Sequence, residues 1–152
     1  MAFAIKFTDD PLEYLGDDAT VPSAVGRIVL GDWQEEFVSS LYEWDQDAYR
    51  TQWLSALQAL LSGERAAALI TEYLSPDVSS HLVWWKLYRG SADTVYVQNQ
   101  LLFYDGAGRG FSVTDAASYL GQRRTHGEDG DAISEWQVSL QEIASFLENS
   151  ER

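Results

Sequence analysis

Between Asp45 and Tyr104 the apolar residues change their period once, and that change decides the fold class. Tyr49, Trp53, Ala56, Leu57, Leu60 and Leu61 recur at i, i+4, i+7, i+8, i+11 and i+12, the spacing that lines one side of an α-helix. Asp45 or Asp47 stands where a carboxylate accepts the free N–H groups of a first helical turn, and Gly63 stands where a helix closes. A helix is therefore expected over about 45–62, with its tryptophan turned into the core. Beyond Gly63 the repeat falls from about 3.6 residues to about 2, the period of a strand. Ala66–Leu74, His81–Arg89 and Thr94–Tyr104 read as three strands, and the segments SPDVSS and GSAD between them are short enough for antiparallel connections.

The flanks complete the pattern. Ala4–Phe7 reads as a short strand, and the loop-rich stretch over residues 1–24 carries one expected helical turn at Leu12–Leu15. Gly26–Leu30 and Trp33–Val38 read as extended pieces. Thr114–Leu120 reads as a short helix, residues 121–132 as a polar mobile loop, and Ile133–Val138 as a strand. Ser139-Leu140-Gln141-Glu142 is a capping box that opens a short C-terminal helix over about 140–148, with Leu140, Ile143, Ala144 and Leu147 on one side. The expected fold is α+β, one domain over residues 1–152. It is an antiparallel β-sheet meander with a long amphipathic helix packed on one face and a short helix at its C-terminus.

The hairpin LVWWKLYRG…DTVYVQNQLLFY tests the alternation most sharply. Neighbours in a strand point to opposite faces, so Trp84 and Trp85 cannot enter one site. The row Val95, Val97, Asn99, Leu101 and Phe103 is the more apolar and is expected to be buried, with Gln98 and Gln100 on the opposite face.

Charge limits the partners. The 152 residues hold 24 acidic against 10 basic side chains, a net charge of −14. Nucleic acid and anionic membrane are disfavoured by that field, and a basic partner is its natural complement. The charge is also uneven. Eleven acidic residues lie from Asp9 to Asp47, with Arg27 the only basic one among them. There is no cysteine, which excludes disulfides, thiolate metal sites and cysteine nucleophiles. The N-terminal run MAFAIKFTDD has neither the basic start nor the unbroken apolar core of a signal peptide, so a cytoplasmic protein is expected.

A search for chemistry finds none. His81 and His126 are the only histidines and neither has metal-ligand spacing. The glycines of GAGRG lack the strand–helix context of a phosphate loop, and no serine stands in a nucleophile elbow. No catalytic residue, cofactor-binding residue, cofactor or metal ligand is assigned, and binding rather than catalysis is expected. Exposed acids beside an aromatic anchor are the best candidates for partner contact, because interface energy concentrates in buried aromatics and desolvated charges. Asp32, Trp33, Glu35 and Glu36 form the most compact such group. Asp45 and Asp47 follow, although helix capping accounts for them equally well.

Taken in order, GRIVLGDWQEEF (Gly26–Phe37), YRTQWLSALQAL (Tyr49–Leu60), WWKLYR (Trp84–Arg89), VQNQLLF (Val97–Phe103) and SEWQVSLQEIASFL (Ser134–Leu147) resemble the immunity proteins of bacterial contact-dependent growth inhibition, the CdiI family. The resemblance implies a small cytoplasmic protein that binds and blocks a cognate toxin C-terminal domain. Many such toxins are nucleases, often acting on tRNA, and a nuclease presents a basic cleft that an acidic inhibitor can fill. It supplies no shared catalytic residues, and such proteins bind their toxins through divergent surfaces. Two other readings stand beside it: a cytoplasmic adaptor or regulatory module for another protein, and a hydrolase built on paired carboxylates. Oligomeric state is not legible in the chain.

Overall fold

A computed structural model describes residues 2–9, 13–15, 21–107 and 111–150. It contains two antiparallel sheets, each of four strands, with a helix between their edges and another at the C-terminus. The first sheet is built around a ten-residue strand, β3 (Val21–Leu30). Along one side β3 pairs with β1 (Phe3–Phe7) and β2 (Glu13–Leu15), and along the other with β4 (Trp33–Ser40). Gly31 makes the β3–β4 turn at φ +66°, a left-handed conformation that glycine enters without penalty. The expected helical turn at Leu12–Leu15 is not what forms: Glu13, Tyr14 and Leu15 pair with Ser23, Pro22 and Val21, and Leu12 lies outside the described residues. Strand β3 starts five residues earlier than Gly26, and its extra length gives those three residues a ladder that outcompetes a single unsupported helical turn.

The second sheet is the meander β5–β6–β7–β8, formed by Ala66–Glu72, His81–Arg89, Thr94–Phe103 and Glu135–Ser139. The long helix α1 occupies Gln46–Leu61, with Asp45 as N-cap accepting from the Ala48 N–H at 2.8 Å. Gly63 follows the helix with φ +119°. Its residues Tyr49, Trp53, Leu57 and Leu60 are buried, as their spacing requires. At the other end Ser139 and Glu142 exchange the two bonds of the capping box, 3.0 and 2.9 Å, and open α3 (Leu140–Ser150). A one-turn helix, α2 (Tyr104–Ala107), ends β7, and 3₁₀ turns run through Val113–Tyr119.

Side chains of α1 finish the outer edge of β5. Gln52 donates to the Ala68 carbonyl and accepts from the Ile70 N–H, while Trp53 Nε1 donates to the Ile70 carbonyl. These bonds occupy the backbone groups that a neighbouring strand would otherwise take. Both faces of the meander are covered over much of their length, so Trp84 and Trp85 are both buried, on opposite sides. Tyr88, on the Trp84 side, donates to the Leu120 carbonyl, which ties down the segment after α2. The loop before β8 is fastened there too: buried Gln98 donates to the Arg124 carbonyl and to Glu135. Arg123 pairs with Glu135 and lies 3.7 Å from the Tyr96 ring centroid.

Candidate functional site

Strand β4 crosses the meander. At its start Trp33 stacks on Trp136 of β8, ring centroids 5.7 Å apart, and Trp136 packs in turn on Trp85 of β6. Two residues on, Glu35 accepts from the Asn99 side chain of β7 at 3.4 Å. Phe37 then lies over Gly26, where a Cβ would run into its ring, and packs edge-on to Trp53 at 5.9 Å. At its end Ser39 donates to the Thr71 carbonyl of β5, and the Ser40 N–H donates to Glu72 at 3.3 Å. The strand thus passes from exposed at Asp32–Gln34 to buried at Ser39 and Ser40.

This path explains where the alternation in β7 fails. Val95 and Val97 are buried beneath the first sheet, but Asn99, Leu101 and Phe103, in the same row, are exposed. The expectation that Asn99 would be buried is corrected: the first sheet ends at β4, so cover stops at the Asn99–Glu35 contact. On the other side Gln98 is fully buried, because β8 and the Arg124 loop close over it. Strand period told which residues share a face; it carried no information on how far the covering layer extends.

The six singled-out residues fall into two groups. Asp32, Trp33, Glu35 and Glu36 lie together at the open end of β4. Trp33 is 46% exposed despite its stack on Trp136. Trp33 and Glu35 share the side turned toward the meander, whereas Glu36 is on the reverse and pairs with Arg27 at 3.1 Å. Asp45 and Asp47 lie beyond the buried end of the strand, so about 23 Å of extended chain separates them from Trp33. Asp45 caps α1 and Asp47 pairs with Arg50 at 2.6 Å. The structure does not bring these two into the first group.

Three further exposed residues, Asn99 beside Glu35 and Leu101 and Phe103 beyond it, were assigned by the sequence to a core row rather than to a site. Leu101 is 46% and Phe103 53% exposed, and His81 packs against the Phe103 ring at 5.6 Å. The available signal was their odd placement, an amide followed by two large apolar side chains in a single strand row.

The most perturbed carboxylate is elsewhere. Burial pushes Glu72 up to about 7, opposed by the hydrogen bond from the Ser40 N–H. Its partner is a backbone amide at the anchored end of β4, which gives it a structural part. Burial likewise pushes the Tyr49 hydroxyl well up, while it donates to the Ser40 carbonyl at 2.7 Å and accepts from the Tyr73 N–H at 3.0 Å. Among the described residues no cluster of three or more His, Asp or Glu side chains could hold a metal ion, and no helix is long and apolar enough to cross a membrane.

The fold defines a two-sheet α+β protein with a net charge of −14, and the open end of β4 sets Trp33 beside Asp32 and Glu35. A family model described as the CdiI N-terminal domain matches residues 39–146. The immunity protein CdiI of Enterobacter cloacae subsp. cloacae is 34% identical over 144 residues, 95% of this chain and 95% of that protein. Among solved structures, a chain of the CdiA-CT/CdiI toxin and immunity complex from Enterobacter cloacae superimposes with a TM-score of 0.85 at 30% identity, covering 98% of both chains. The chain belongs to the CdiI family of immunity proteins of contact-dependent growth inhibition. The family match begins at Ser39, so Asp32–Glu36 lie just outside it and the meander, α1 and most of α3 lie within.

Proposed function

We propose that this protein works in the cytoplasm as the immunity partner of a toxin C-terminal domain, which it neutralises by binding and without chemistry of its own. The observation that carries the reading is the open end of β4, where Asp32 and Trp33 are exposed and Glu35 is half-buried beside them, inside the most acidic part of the chain. The similar Enterobacter structure, a toxin and immunity complex, supports the same role. A net charge of −14 fits a basic toxin domain, such as a nuclease whose cleft receives a phosphate backbone. Opposite fields raise association rates by roughly one to three orders of magnitude, which matters when capture must precede substrate turnover.

Co-expression with the toxin domain encoded immediately upstream tests this. Cells carrying both are expected to grow, and cells carrying the toxin alone to die; equal death in both removes the immunity reading. Reversal of charge at Glu35 and Glu36 (E35K/E36K) is expected to slow association about tenfold at low salt and to flatten its salt dependence. Unchanged association kinetics would take these two acids out of the binding surface.

A further inference from the structure

The row that runs out from under the first sheet is the least economical part of the surface. Leu101 and Phe103 are two of the five large hydrophobic side chains exposed among the described residues, and they stand two positions apart on one face of β7. Trp33, a third, lies across Glu35 from them. Strand β8 pairs with β7 only as far as Gln98, so among the described residues Asn99–Phe103 is also a sheet edge with no strand beside it. An uncovered edge with apolar side chains is an aggregation hazard that soluble proteins usually blunt with charge or cover. Here no other described strand covers it, and the row itself carries no charged side chain.

We propose that this uncovered run of β7, together with Trp33 and Glu35, is the docking surface for the toxin domain. The proposal rests on the immunity reading and says where and with what contacts the partner binds. Leu101 and Phe103 are the apolar anchors. Glu35 is the charged one: among the described residues it forms no ion pair, and its bond to Asn99 is long at 3.4 Å, so a cationic side chain of the partner displaces the amide easily. Two copies of this chain, each carrying −14, repel one another, whereas a basic partner is attracted; the charge therefore selects the toxin as occupant. The far margin of the patch fixes polarity. Leu101 and Phe103 also border a cleft of about 830 Å³ lined by Lys86 and Arg124, with Glu128 and Asp129 on the loop side. Two cationic side chains, Lys86 and Arg124, on that margin suit a carboxylate or an amide of the partner rather than a further cation.

The test uses the whole chain and the upstream-encoded toxin domain. Truncation of both anchors (L101A/F103A) is expected to speed dissociation about a hundredfold, with an unchanged association rate and melting temperature, since both side chains are half in water already. In the unaltered protein, toxin is expected to slow amide hydrogen exchange across Asn99–Phe103. Wild-type dissociation of the double variant, or unchanged exchange in that segment while the unaltered protein still binds and protects, overturns this surface. Loss of self-association in place of toxin binding overturns it too, by assigning the patch to a second copy. If the unaltered protein neither binds nor protects, the immunity reading itself falls.

Discussion

The two ends of β4 are one strand with opposite characters. The Ser39–Ser40 end is held by three bonds: Ser39 donates to the Thr71 carbonyl of β5, the Ser40 N–H donates to the Glu72 carboxylate, and the Ser40 carbonyl accepts from the Tyr49 hydroxyl of α1. The Trp33–Glu36 end meets the meander only through a tryptophan stack and one long amide contact to half-buried Glu35, while Trp33 and Glu36, the latter paired with Arg27, are open to solvent. Both ends pair equally well with β3, so the ladder itself does not distinguish them. The difference lies in what the side chains meet beyond it, which makes one end a fastening and leaves the other free to change partners.

That contrast can be broken from the fastened end first. Trp53 is buried, donates to the Ile70 carbonyl at 2.7 Å and touches Phe7 and Phe37, so Trp53→Ala is expected to lower stability by about 3–5 kcal/mol in urea unfolding. Tyr49→Phe leaves the buried Ser40 carbonyl and Tyr73 N–H without their common partner, at a cost of about 1–3 kcal/mol by the same measurement. Glu72 sharpens the comparison through pH. Its folded-state value, about 7, is above the ordinary 4.5, so the folded protein binds this proton more tightly than the unfolded chain does. Its charge therefore costs stability progressively as pH rises from about 4.5 to 7, and fully above that. Glu72→Gln keeps an acceptor for the Ser40 N–H and removes the charge. It is expected to match the parent below pH 4.5 and to exceed it by about 1 kcal/mol at pH 8, the partly solvated site holding the gain to that size. At the open end, Trp33→Ala is expected to change stability by less than about 1 kcal/mol while weakening toxin binding. A loss as large as that of Tyr49→Phe would show that the open end is a fastening as well.

Much of the fold was legible because short-range rules governed it. The stripe from Tyr49 to Leu60 was helical, the capping box closed as Ser139 and Glu142 required, and β6 ran from His81 to Arg89 as the period-2 pattern indicated. The errors arose where a distant segment decided the outcome. Glu13–Leu15 became a strand because β3 offered a partner. Asn99 came to the surface because of where β4 ends, which strand period does not encode, while Gln98 lies on the opposite face as expected, closed over by the Arg124 loop. The open end of β4 was visible as an acidic, aromatic cluster. Its continuation over Leu101 and Phe103 was not, because their period matched that of a core row.

The pairing of Gln52 with β5 has a consequence for the molecule in a crowded solution. One side-chain amide imitates a residue of an added strand, holding the Ala68 carbonyl and the Ile70 N–H at 2.8 and 2.9 Å. A stray chain attempting to extend the meander there must first expel Gln52 and forfeit both bonds, and displace Trp53 from the Ile70 carbonyl, so growth of the sheet into a fibre is opposed on that flank by two side chains of one helix.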